Sequence, residues 1–382
     1  MSDTSRVREH YDAHPYTGGL PALPGHWLDA GVDTPPLRDG ARVLVAGCGT
    51  GAEVAAYASV PGLSVVGVDL SPRSIAIAEA QAYPGKPVFA VADLAKDDLV
   101  GRFGQFDFIC CHAVADYVPD TPGLFQALAA ALAPNGVLYV GTNTDHHPGA
   151  RIRSAFQALG LGQRWQEDGL HRAGLRAVSA LLGPDAQISG LASRPEALLG
   201  ADVFPPFAHG MGLPDWEAAA GLSGLRLVDT LATLHALPAV GDGDLPLLYG
   251  LDRPAIARLI TGLRREAVLQ ALFASQPKTD PPFTEPAALF RWRATLHPAV
   301  GALPPLQGDW MAPRFLALQP PGLPELRLQL SAWMLELYRR CDGRPLDVVR
   351  ASMPAPAHDA HLQASVFRFW HAGLLRLDPP VT

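Results

Sequence analysis

The chain has 382 residues, of which 48% are hydrophobic and 18% are charged, and its formal net charge is −7. This hydrophobic fraction excludes a disordered chain, and the length allows two or three domains that each bury a core. The acidic balance argues against a general affinity for nucleic acid or for anionic membranes.

The first predicted strand, residues 43–46, runs into a glycine-rich turn. The turn contains Gly47, Cys48, Gly49 and Gly51. Glycines let a backbone pass close to a ligand, and the helix that follows offers unpaired N–H groups at its start. A second strand, residues 65–68, ends at Asp69, about 20 positions after the first glycine, as expected for a carboxylate that accepts ribose hydroxyls. The pattern predicts a nucleoside-binding half-site.

The glycine spacing alone leaves two nucleoside cofactors open. Gly47, Gly49 and Ala52 also satisfy the G-x-G-x-x-G/A fingerprint of NAD-dependent dehydrogenases. The strands that follow help to decide between these two cofactors. A third strand, residues 88–91, is followed by Ala92, Asp93 and Leu94. There a carboxylate can meet the exocyclic amine of adenine while apolar neighbours enclose the ring.

Two more strands complete a parallel series. The fourth, residues 106–111, leads into His112, and a helix predicted over residues 120–133 connects it to a turn at 132–136 and a fifth strand at 137–140. This order, with acids at the tips of the second and third strands, resembles class I methyltransferases. The resemblance favours S-adenosylmethionine over NAD, with S-adenosylhomocysteine as the product.

The resemblance implies a set of cofactor-binding residues and no metal. They are Gly47, Cys48, Gly49, Gly51, Asp69, Leu70, Ala92, Asp93, Leu94, His112, Ala113, Tyr11 and Tyr16. Tyr11 and Tyr16 are equally compatible with simple packing of an N-terminal arm, residues 1–38. His112 is equally compatible with a core histidine bonded to the backbone.

The remaining catalytic sheet is predicted from weaker patterns. Ser71 and Pro72 begin a helix whose expected buried stripe is Ile75, Ala76, Ala78, Glu79 and Ala82. Strands at 224–229 and 267–273 would complete a seven-stranded, Rossmann-like α/β sheet. Residues 150–220 and 236–265 would then be insertions that form a substrate lid. The predicted methyltransferase domain covers residues 1–276.

The composition changes after this domain. Residues 277–286 are rich in proline and predict a stiff linker rather than a packed element. Beyond it, an amphipathic helix is expected over 326–338, another over 364–373 and a strand at 374–377. This C-terminal domain, residues 287–382, resembles a winged helix. Because no basic recognition face is evident, we expect it to contact protein rather than nucleic acid.

Four segments carry a narrower resemblance. Residues 112–119 resemble the H-G-V-Y-S-W-V-P segment of bacterial methyltransferases with a C-terminal methyltransferase regulatory domain, and residues 11–16 resemble their Y-D-x-x-P-Y motif. Residues 142–149 and 205–209 are similar to their Y-N-T-x-P-G-W and P-x-Y-F-H segments. The resemblance covers most of residues 6–275. It implies lysine methylation, since characterised members methylate lysines of outer-membrane proteins. This chain departs from the pattern at Ala113, Asp116, Tyr117 and Ala208.

The chemistry makes modest demands on side chains. Methyl transfer from a sulfonium is an in-line displacement that depends on positioning and desolvation. A lysine acceptor must lose its proton, which a water-poor pocket promotes. The candidate catalytic residues are Asn143, His112, His209 and Tyr16. An oxygen acceptor would need a base, for which the sequence offers His112, His146, His147 or His209.

Three functions therefore remain open. The long insertions favour N-methylation of a protein side chain, which we expect to be lysine. The alternatives are N- or O-methylation of a small metabolite and a catalytically silent cofactor-binding protein. An open groove above Asn143 would favour a protein substrate, and an enclosed apolar pocket would favour a metabolite.

The four cysteines predict no disulfide, and without a run of about 18 apolar residues we expect a cytoplasmic protein without membrane insertion. The oligomeric state is not predicted.

Overall fold

The computed structural model describes most of the chain. The described residues are 2–17, 37–158, 171–182, 191, 193–194, 199–231, 240–241, 243–264, 266–296, 313–318, 326–353 and 358–381. Within these ranges, no helix is long and apolar enough to cross a membrane.

The elements follow one another in three groups. The first group is α1 (Asp3–Ala13), β1 (Arg42–Ala46), α2 (Ala52–Ala58), β2 (Ser64–Asp69), α3 (Pro72–Glu79), β3 (Val88–Val91), α4 (Leu99–Phe103), β4 (Phe106–His112), α5 (Thr121–Ala131) and β5 (Leu132–Asn143). The second is α6 (Pro148–Ala158), α7 (His171–Leu182), a π-helical turn (Leu199–Val203), α8 (Leu213–Leu222), β6 (Arg226–Thr230), a 3-10 turn (Leu245–Leu247), α9 (Arg253–Arg264) and β7 (Val268–Ala274). The third is α10 (Pro286–Leu289), β8 (Arg293–Leu296), β9 (Pro313–Leu318), β10 (Leu326–Ser331), α11 (Ala332–Arg339), β11 (Asp342–Pro345), α12 (Leu346–Ala351), α13 (Asp359–His371) and β12 (Leu375–Asp378).

Seven strands form the central sheet in the order β3-β2-β1-β4-β5-β7-β6. Strands β1 to β5 are parallel, and β7 runs antiparallel to both of its neighbours. The direction of winding reverses between β1 and β4, and ligands of doubly wound sheets bind at the carboxyl ends of the strands beside such a switch point. The predicted seven-stranded Rossmann-like fold is confirmed.

Helix α3 shows how local sequence sets an element. Ser71 caps it by accepting a hydrogen bond from the Ser74 backbone N–H at 3.0 Å, and Pro72 occupies the first turn. Its buried residues are Ser74, Ile75 and Ala78. The predicted stripe was too wide, because Ala76, Glu79 and Ala82 are exposed. A short helix against a sheet buries only the residues three and four apart that face it.

Strand β5 also differs from the prediction. Leu132, the first residue of the segment 132–136 that was predicted as a turn, already pairs with Phe106 of β4, and the register shifts between this pair and that of Phe108 with Val137. The irregularity absorbs the Pro134-Asn135-Gly136 sequence within the strand.

Each face of the sheet has its own hydrophobic core. Leu44 and Ala46 of β1 belong to a cluster that includes Trp216 of α8, whereas Val43 and Val45 belong to a cluster that includes Ile256 of α9. Helix α9 and most of α8 lie within the stretches predicted as lid insertions, but they cover the sheet as regular layers. A third, separate cluster joins α6, α7 and the π-helical turn.

The proline-rich segment after β7 is irregular but packed. Phe283 is only 3% exposed, and its ring centroid lies 4.8 Å from that of Phe367 and 5.3 Å from that of Trp370. The side-chain amide of Gln363 donates to the Phe283 carbonyl. The prediction of an unpacked linker was wrong, because an aromatic side chain between the prolines enters the core.

The segment predicted as one helix over 326–338 is a strand followed by a helix. The leucines at 326, 328 and 330 repeat with the period of two of a β-strand, and β10 pairs with β9 in antiparallel register. Ser331 then caps α11 by accepting from the Met334 N–H at 3.2 Å. The predicted helix and strand near the C-terminus correspond to α13 and β12.

The C-terminal elements pack on the catalytic sheet. Strands β11, β8 and β12 form an antiparallel sheet accompanied by α11, α12 and α13. The cluster that contains Val45 and Tyr139 extends to Trp333 and Trp370. The Arg253 guanidinium of α9 lies 3.9 Å from the centre of a Trp370 ring. The regulatory and winged-helix assignments of this part stay predictions.

Candidate active site

A cavity opens at the carboxyl ends of β1, β2, β3 and β4. Its empty volume, including the solvent at its mouth, is about 1040 Å³. The predicted cofactor residues that line it are Tyr11, Tyr16, Gly47, Cys48, Gly49, Asp69, Leu70, Ala92, Asp93, Leu94, His112 and Ala113. Gly51 is the exception.

The glycine turn owes its shape to positive backbone angles. Gly47 has φ +73°, and a Cβ there would lie 2.2 Å from Val114 Cγ2. Gly51 has φ +94° and precedes α2, where a Cβ would lie 2.2 Å from the Tyr83 hydroxyl oxygen. Glycine is therefore required for the backbone path at both positions. The structure gives Gly51 a role in packing, away from the cavity wall.

Asp69 is held at the end of β2 by two backbone amides. Its Oδ2 accepts from the Gly49 N–H at 2.8 Å, and its Oδ1 accepts from the Ser71 N–H at 2.9 Å. Burial raises the pKa of this carboxyl, and these two hydrogen bonds counteract the shift. A carboxylate has about four acceptor sites, so Asp69 keeps acceptor capacity for a further donor such as a ribose hydroxyl.

Asp93 at the end of β3 is engaged by neighbours of its own loop. Its Oδ1 accepts from the Ala95 N–H at 3.1 Å, and its Oδ2 lies 3.1 Å from Lys96 Nζ. Lys96 also lies 3.0 Å from Thr4 Oγ1. Asp93, which was predicted to contact adenine, thus forms an ion pair with Lys96. Through Lys96 and Thr4 this pair connects the end of β3 to α1.

The N-terminal arm forms one wall of the cavity. Thr4, Val7, Tyr11 and Tyr16 line it from this side. The Thr50 hydroxyl donates to the Tyr16 carbonyl at 2.9 Å, which fixes the end of the arm on the glycine turn. Access to the cavity therefore depends on the position of α1 and its following residues.

His112 lies where β4 ends. Its Nδ1 is 2.9 Å from the Tyr139 hydroxyl oxygen, and the two rings stack with centroids 5.9 Å apart. Burial lowers the pKa of His112 to about 4, so the imidazole is neutral and weakly basic near pH 7. The next residue, Ala113, has φ +53° and donates its N–H to the Gly141 carbonyl at 2.7 Å. A non-glycine residue in this region is under backbone strain.

Two predicted catalytic residues lie outside the cavity wall. The Asn143 amide donates to the Tyr117 hydroxyl at 3.3 Å, and it is Tyr117 that lines the cavity. His209 donates its backbone N–H to the Asp116 carbonyl at 2.7 Å, and its ring meets that of Phe207 at 4.5 Å. Of the predicted catalytic set, His112 and Tyr16 therefore reach the cavity directly, and Asn143 reaches it through Tyr117.

The adjacent histidines do not form a joint site. His146 is exposed, whereas burial lowers the pKa of His147 to about 4. No group of three or more potential metal ligands occurs in the part of the chain that the structure describes.

Sequence patterns missed several residues of the cavity. They are Thr4, Val7, Glu53, Ser74, Ala95, Lys96, Val114, Tyr117, Val118, Pro119 and Asp120. Glu53 follows the last glycine of the turn by two positions, which was an available signal. Lys96 and Thr4 are brought together only by tertiary structure.

The residues present fit an adenosyl cofactor. Asp69 is fixed with free acceptor capacity, and Leu70, Leu94 and Val118 supply apolar walls for a ring. The glycine turn brings bare backbone to the cavity. These are the groups that a nucleoside site at a switch point requires.

Comparison with known proteins agrees with this site. Residues 22–179 match the family model of a methyltransferase domain. The ubiquinone biosynthesis O-methyltransferase of Thiobacillus denitrificans is 34% identical over 112 residues, which are 29% of this chain and 48% of the relative. That of Xanthomonas campestris is 31% identical over 142 residues, covering 32% of this chain and 57% of the relative. The chain thus spans about half the length of the curated relatives it matches.

A solved structure resembles the chain over a longer stretch. PKMT2 from Rickettsia typhi in complex with AdoHcy has a TM-score of 0.59 and 17% identity, covering 95% of this chain and 77% of the other. At this identity the likeness shows the fold alone.

Fold, cavity and family match together define the class. The chain contains a class I methyltransferase domain, and the cofactor of this domain is S-adenosylmethionine.

Proposed function

We propose that the protein transfers a methyl group from S-adenosylmethionine to a protein nitrogen, the side-chain amine of lysine. The charge of the cavity carries this proposal. Its described lining includes four carboxylates, Glu53, Asp69, Asp93 and Asp120, and one cation, Lys96, which is paired with Asp93. A cavity of negative potential attracts basic ligands and concentrates them near the reaction site.

The state of His112 supports an amine acceptor over a hydroxyl. A general base works best when its pKa lies near the working pH, and burial lowers the pKa of His112 to about 4. An amine needs no such base during the reaction once it has lost its proton. Desolvation against Leu94, Val114 and Val118 favours the neutral amine.

Bound S-adenosylmethionine supplies a methyl group activated by its sulfonium. The side chains contribute orientation and exclusion of water. Tyr117 lines the cavity, and its hydroxyl accepts a hydrogen bond from the side-chain amide of Asn143. The carbon to be transferred needs no covalent help from the protein, so alignment of the amine is the main task of these groups.

An open depression beside the carboxyl end of β5 supports a polypeptide substrate. It begins at Thr144, directly after Asn143, and has an empty volume of about 1010 Å³ including its mouth. Asp145, Glu217 and Glu266 line it together with Arg258. Arg258 pairs with Glu217 at 2.8 Å and Arg264 with Glu266 at 2.9 Å, so what the depression offers a polypeptide is room rather than strong negative charge. The resemblance of four sequence segments to lysine methyltransferases points the same way.

A second candidate is O-methylation of a small molecule. It is favoured by the curated relatives, which are named ubiquinone biosynthesis O-methyltransferases. Their similarity is confined to about a third of this chain, however, so it bears on the cofactor half of the site more than on the acceptor.

The test is incubation with methyl-labelled S-adenosylmethionine and host extract, followed by separation of protein from small molecules. We expect label on protein, at lysine after peptide mapping, and none with Asp69→Ala. The matched control is Asp107→Ala, because Asp107 also accepts a backbone N–H, that of Arg42 at 2.9 Å, but lies outside the cavity lining. Label confined to small molecules would refute the protein substrate.

A further inference from the structure

Helix α1 has one face on the cavity and another on the insertion that follows β5. Thr4, Val7 and Tyr11 are spaced three and four apart, so they share one face, and all three line the cavity. His10 lies on the neighbouring face, and its Nε2 is 3.0 Å from the carbonyl oxygen of Gly200 in the π-helical turn. Because a carbonyl oxygen can only accept, the imidazole donates its Nε2–H to it.

The π-helical turn approaches α1 closely at its glycine. Gly200 is buried, and a Cβ on it would lie 3.3 Å from Cγ of the His14 ring. The rings of His10 and His14 lie with their centroids 5.1 Å apart. A side chain at position 200 would therefore crowd the histidines of α1. Turns of this type are rare and occur often at functional sites.

The same turn is also fixed to α6. The Phe204 N–H donates to the Leu199 carbonyl at 3.1 Å, with the five-residue spacing of a π-helix. The Arg153 guanidinium of α6 donates to the Val203 carbonyl at 3.3 Å. The ring of Phe156, also in α6, stacks on that of Phe204 with centroids 6.1 Å apart. The turn thus belongs to the small buried cluster of α6 and α7.

Beyond the turn the chain reaches the opposite wall of the cavity. His209 donates its N–H to the Asp116 carbonyl at 2.7 Å, and the residue after Asp116 is Tyr117, which lines the cavity. Met211 and Gly212, shortly after His209, line the open depression beside β5. This stretch of chain therefore connects the cofactor cavity with the depression.

Residues 199–209, which we name the cap, join two walls of the cavity. One end of the cap is bonded to α1 and the other to the loop that precedes Tyr117. No described residue of the cap lines the cavity itself. A ligand in the cavity contacts α1, and α1 holds the cap through His10.

We propose that His10 is a positioning residue that transmits cofactor binding to the cap and, through the cap, to the wall of the depression. A cofactor that contacts Thr4, Val7 and Tyr11 stabilises the closed position of α1, and such differential contacts are what lets a ligand shift an equilibrium. The His10 hydrogen bond then holds the cap in place before an acceptor binds. The coupling is reciprocal, so an acceptor at the depression raises the affinity for the cofactor. The inference rests on the proposed function, which makes the depression the acceptor surface.

The test measures amide hydrogen exchange of the full-length protein with and without saturating S-adenosylhomocysteine. In the wild type the ligand should slow exchange of the Phe204 and His209 amides about tenfold, because their hydrogen bonds open more rarely when the cap is held. In His10→Ala the ligand should still bind but slow this exchange by less than about twofold. His10→Gln, whose side-chain amide can donate to the Gly200 carbonyl, should restore the protection. Glu9→Ala is the matched control, because Glu9 is exposed on the same helix.

Equal protection of the cap in the wild type and His10→Ala would overturn the proposal. Loss of protection in His10→Gln or Glu9→Ala as well would mean a general effect on the helix and would also overturn it. If His10→Ala does not fold, the wild type decides, because protection of α1 without protection of the cap would contradict the coupling.

Calorimetry on the same samples separates this proposal from the assignments on which it depends. If the wild type does not bind S-adenosylhomocysteine, the proposal fails together with the cofactor assignment. Because no acceptor is present in the exchange experiment, failure of lysine methylation would leave its result valid.

Discussion

The Ser71 hydroxyl donates a hydrogen bond to the Asp12 carboxylate at 2.5 Å, joining the N-terminal helix to the start of α3. The same carboxylate oxygen accepts from the Arg73 N–H at 3.3 Å. Since the Ser71 N–H also donates to Asp69, this contact connects the position of α1 to the carboxylate on the cavity floor.

Asp12 does not line the cavity, but Asp12→Ala should weaken cofactor binding through this contact. We expect an affinity for S-adenosylhomocysteine about tenfold lower, because a charged hydrogen bond that holds the arm closed is lost. Calorimetry would measure it. Asp3→Ala is the control, since Asp3 lies on the same helix and, among the described residues, pairs with exposed Arg6. Equal affinities of the two variants would contradict the role of the contact.

Gly47→Ala should destabilise the fold. The added Cβ meets Val114 at 2.2 Å, and φ +73° strains any other residue, so we expect a loss of about 2–4 kcal/mol in the free energy of unfolding. Gly221→Ala is the opposite case, because nothing lies within 4 Å of its Cβ in α8, and helix propensity predicts a gain of about 0.5–1 kcal/mol. Urea unfolding would measure both. Equal effects would mean that the turn is not constrained as described.

His112 should make stability depend on pH in acid. Its pKa is lowered from 6.5 to about 4 by burial, so below pH 6.5 the unfolded chain binds a proton that the folded protein does not. The contribution is fully present above pH 6.5 and is lost as the pH falls to 4, by up to about 3 kcal/mol. Urea unfolding across this range should show a smaller loss for His112→Asn. His147 is present in both proteins and affects their stability equally. Identical pH profiles of stability for the wild type and His112→Asn would therefore contradict the assignment.

Phe283→Ala should destabilise the protein although it lies among prolines. Its ring packs on Phe367 and Trp370 in the core that the catalytic sheet shares with the C-terminal elements. Removing it should lower the free energy of unfolding by about 3–5 kcal/mol. Val381→Ala, at a side chain that is 78% exposed, should change it by less than about 0.5 kcal/mol. If Phe283→Ala changed the free energy of unfolding as little as the control does, the segment would be an unpacked linker, as the sequence predicted.

Sequence patterns predicted the elements whose conformation is set by residues that are neighbours in the chain. Glycines with positive φ, a capping serine before a proline and the order of apolar strands all act through neighbouring residues. For this reason the sheet was predicted, and predicted cofactor residues such as Gly47, Asp69 and His112 line the cavity. The role of Gly51 was misjudged, because its proximity to Tyr83 depends on a distant loop.

The remaining differences have tertiary causes. Lys96 meets Thr4, and Tyr117 stands between Asn143 and the cavity, only after the chain has folded. The strand β10 was taken for helix because its leucines continue into the apolar face of α11. Phe283 shows that prolines set the path of a backbone but do not decide whether a side chain between them is buried.

The most direct measurement is calorimetric titration of S-adenosylhomocysteine into the wild-type protein and Asp69→Ala, with Asp107→Ala as control. The central claim is that the cavity at the carboxyl ends of β1, β2, β3 and β4 binds S-adenosylmethionine, and its product S-adenosylhomocysteine, through Asp69. We predict binding by the wild type and the control, and an affinity at least about tenfold lower for Asp69→Ala. Wild-type affinity in Asp69→Ala would contradict the account.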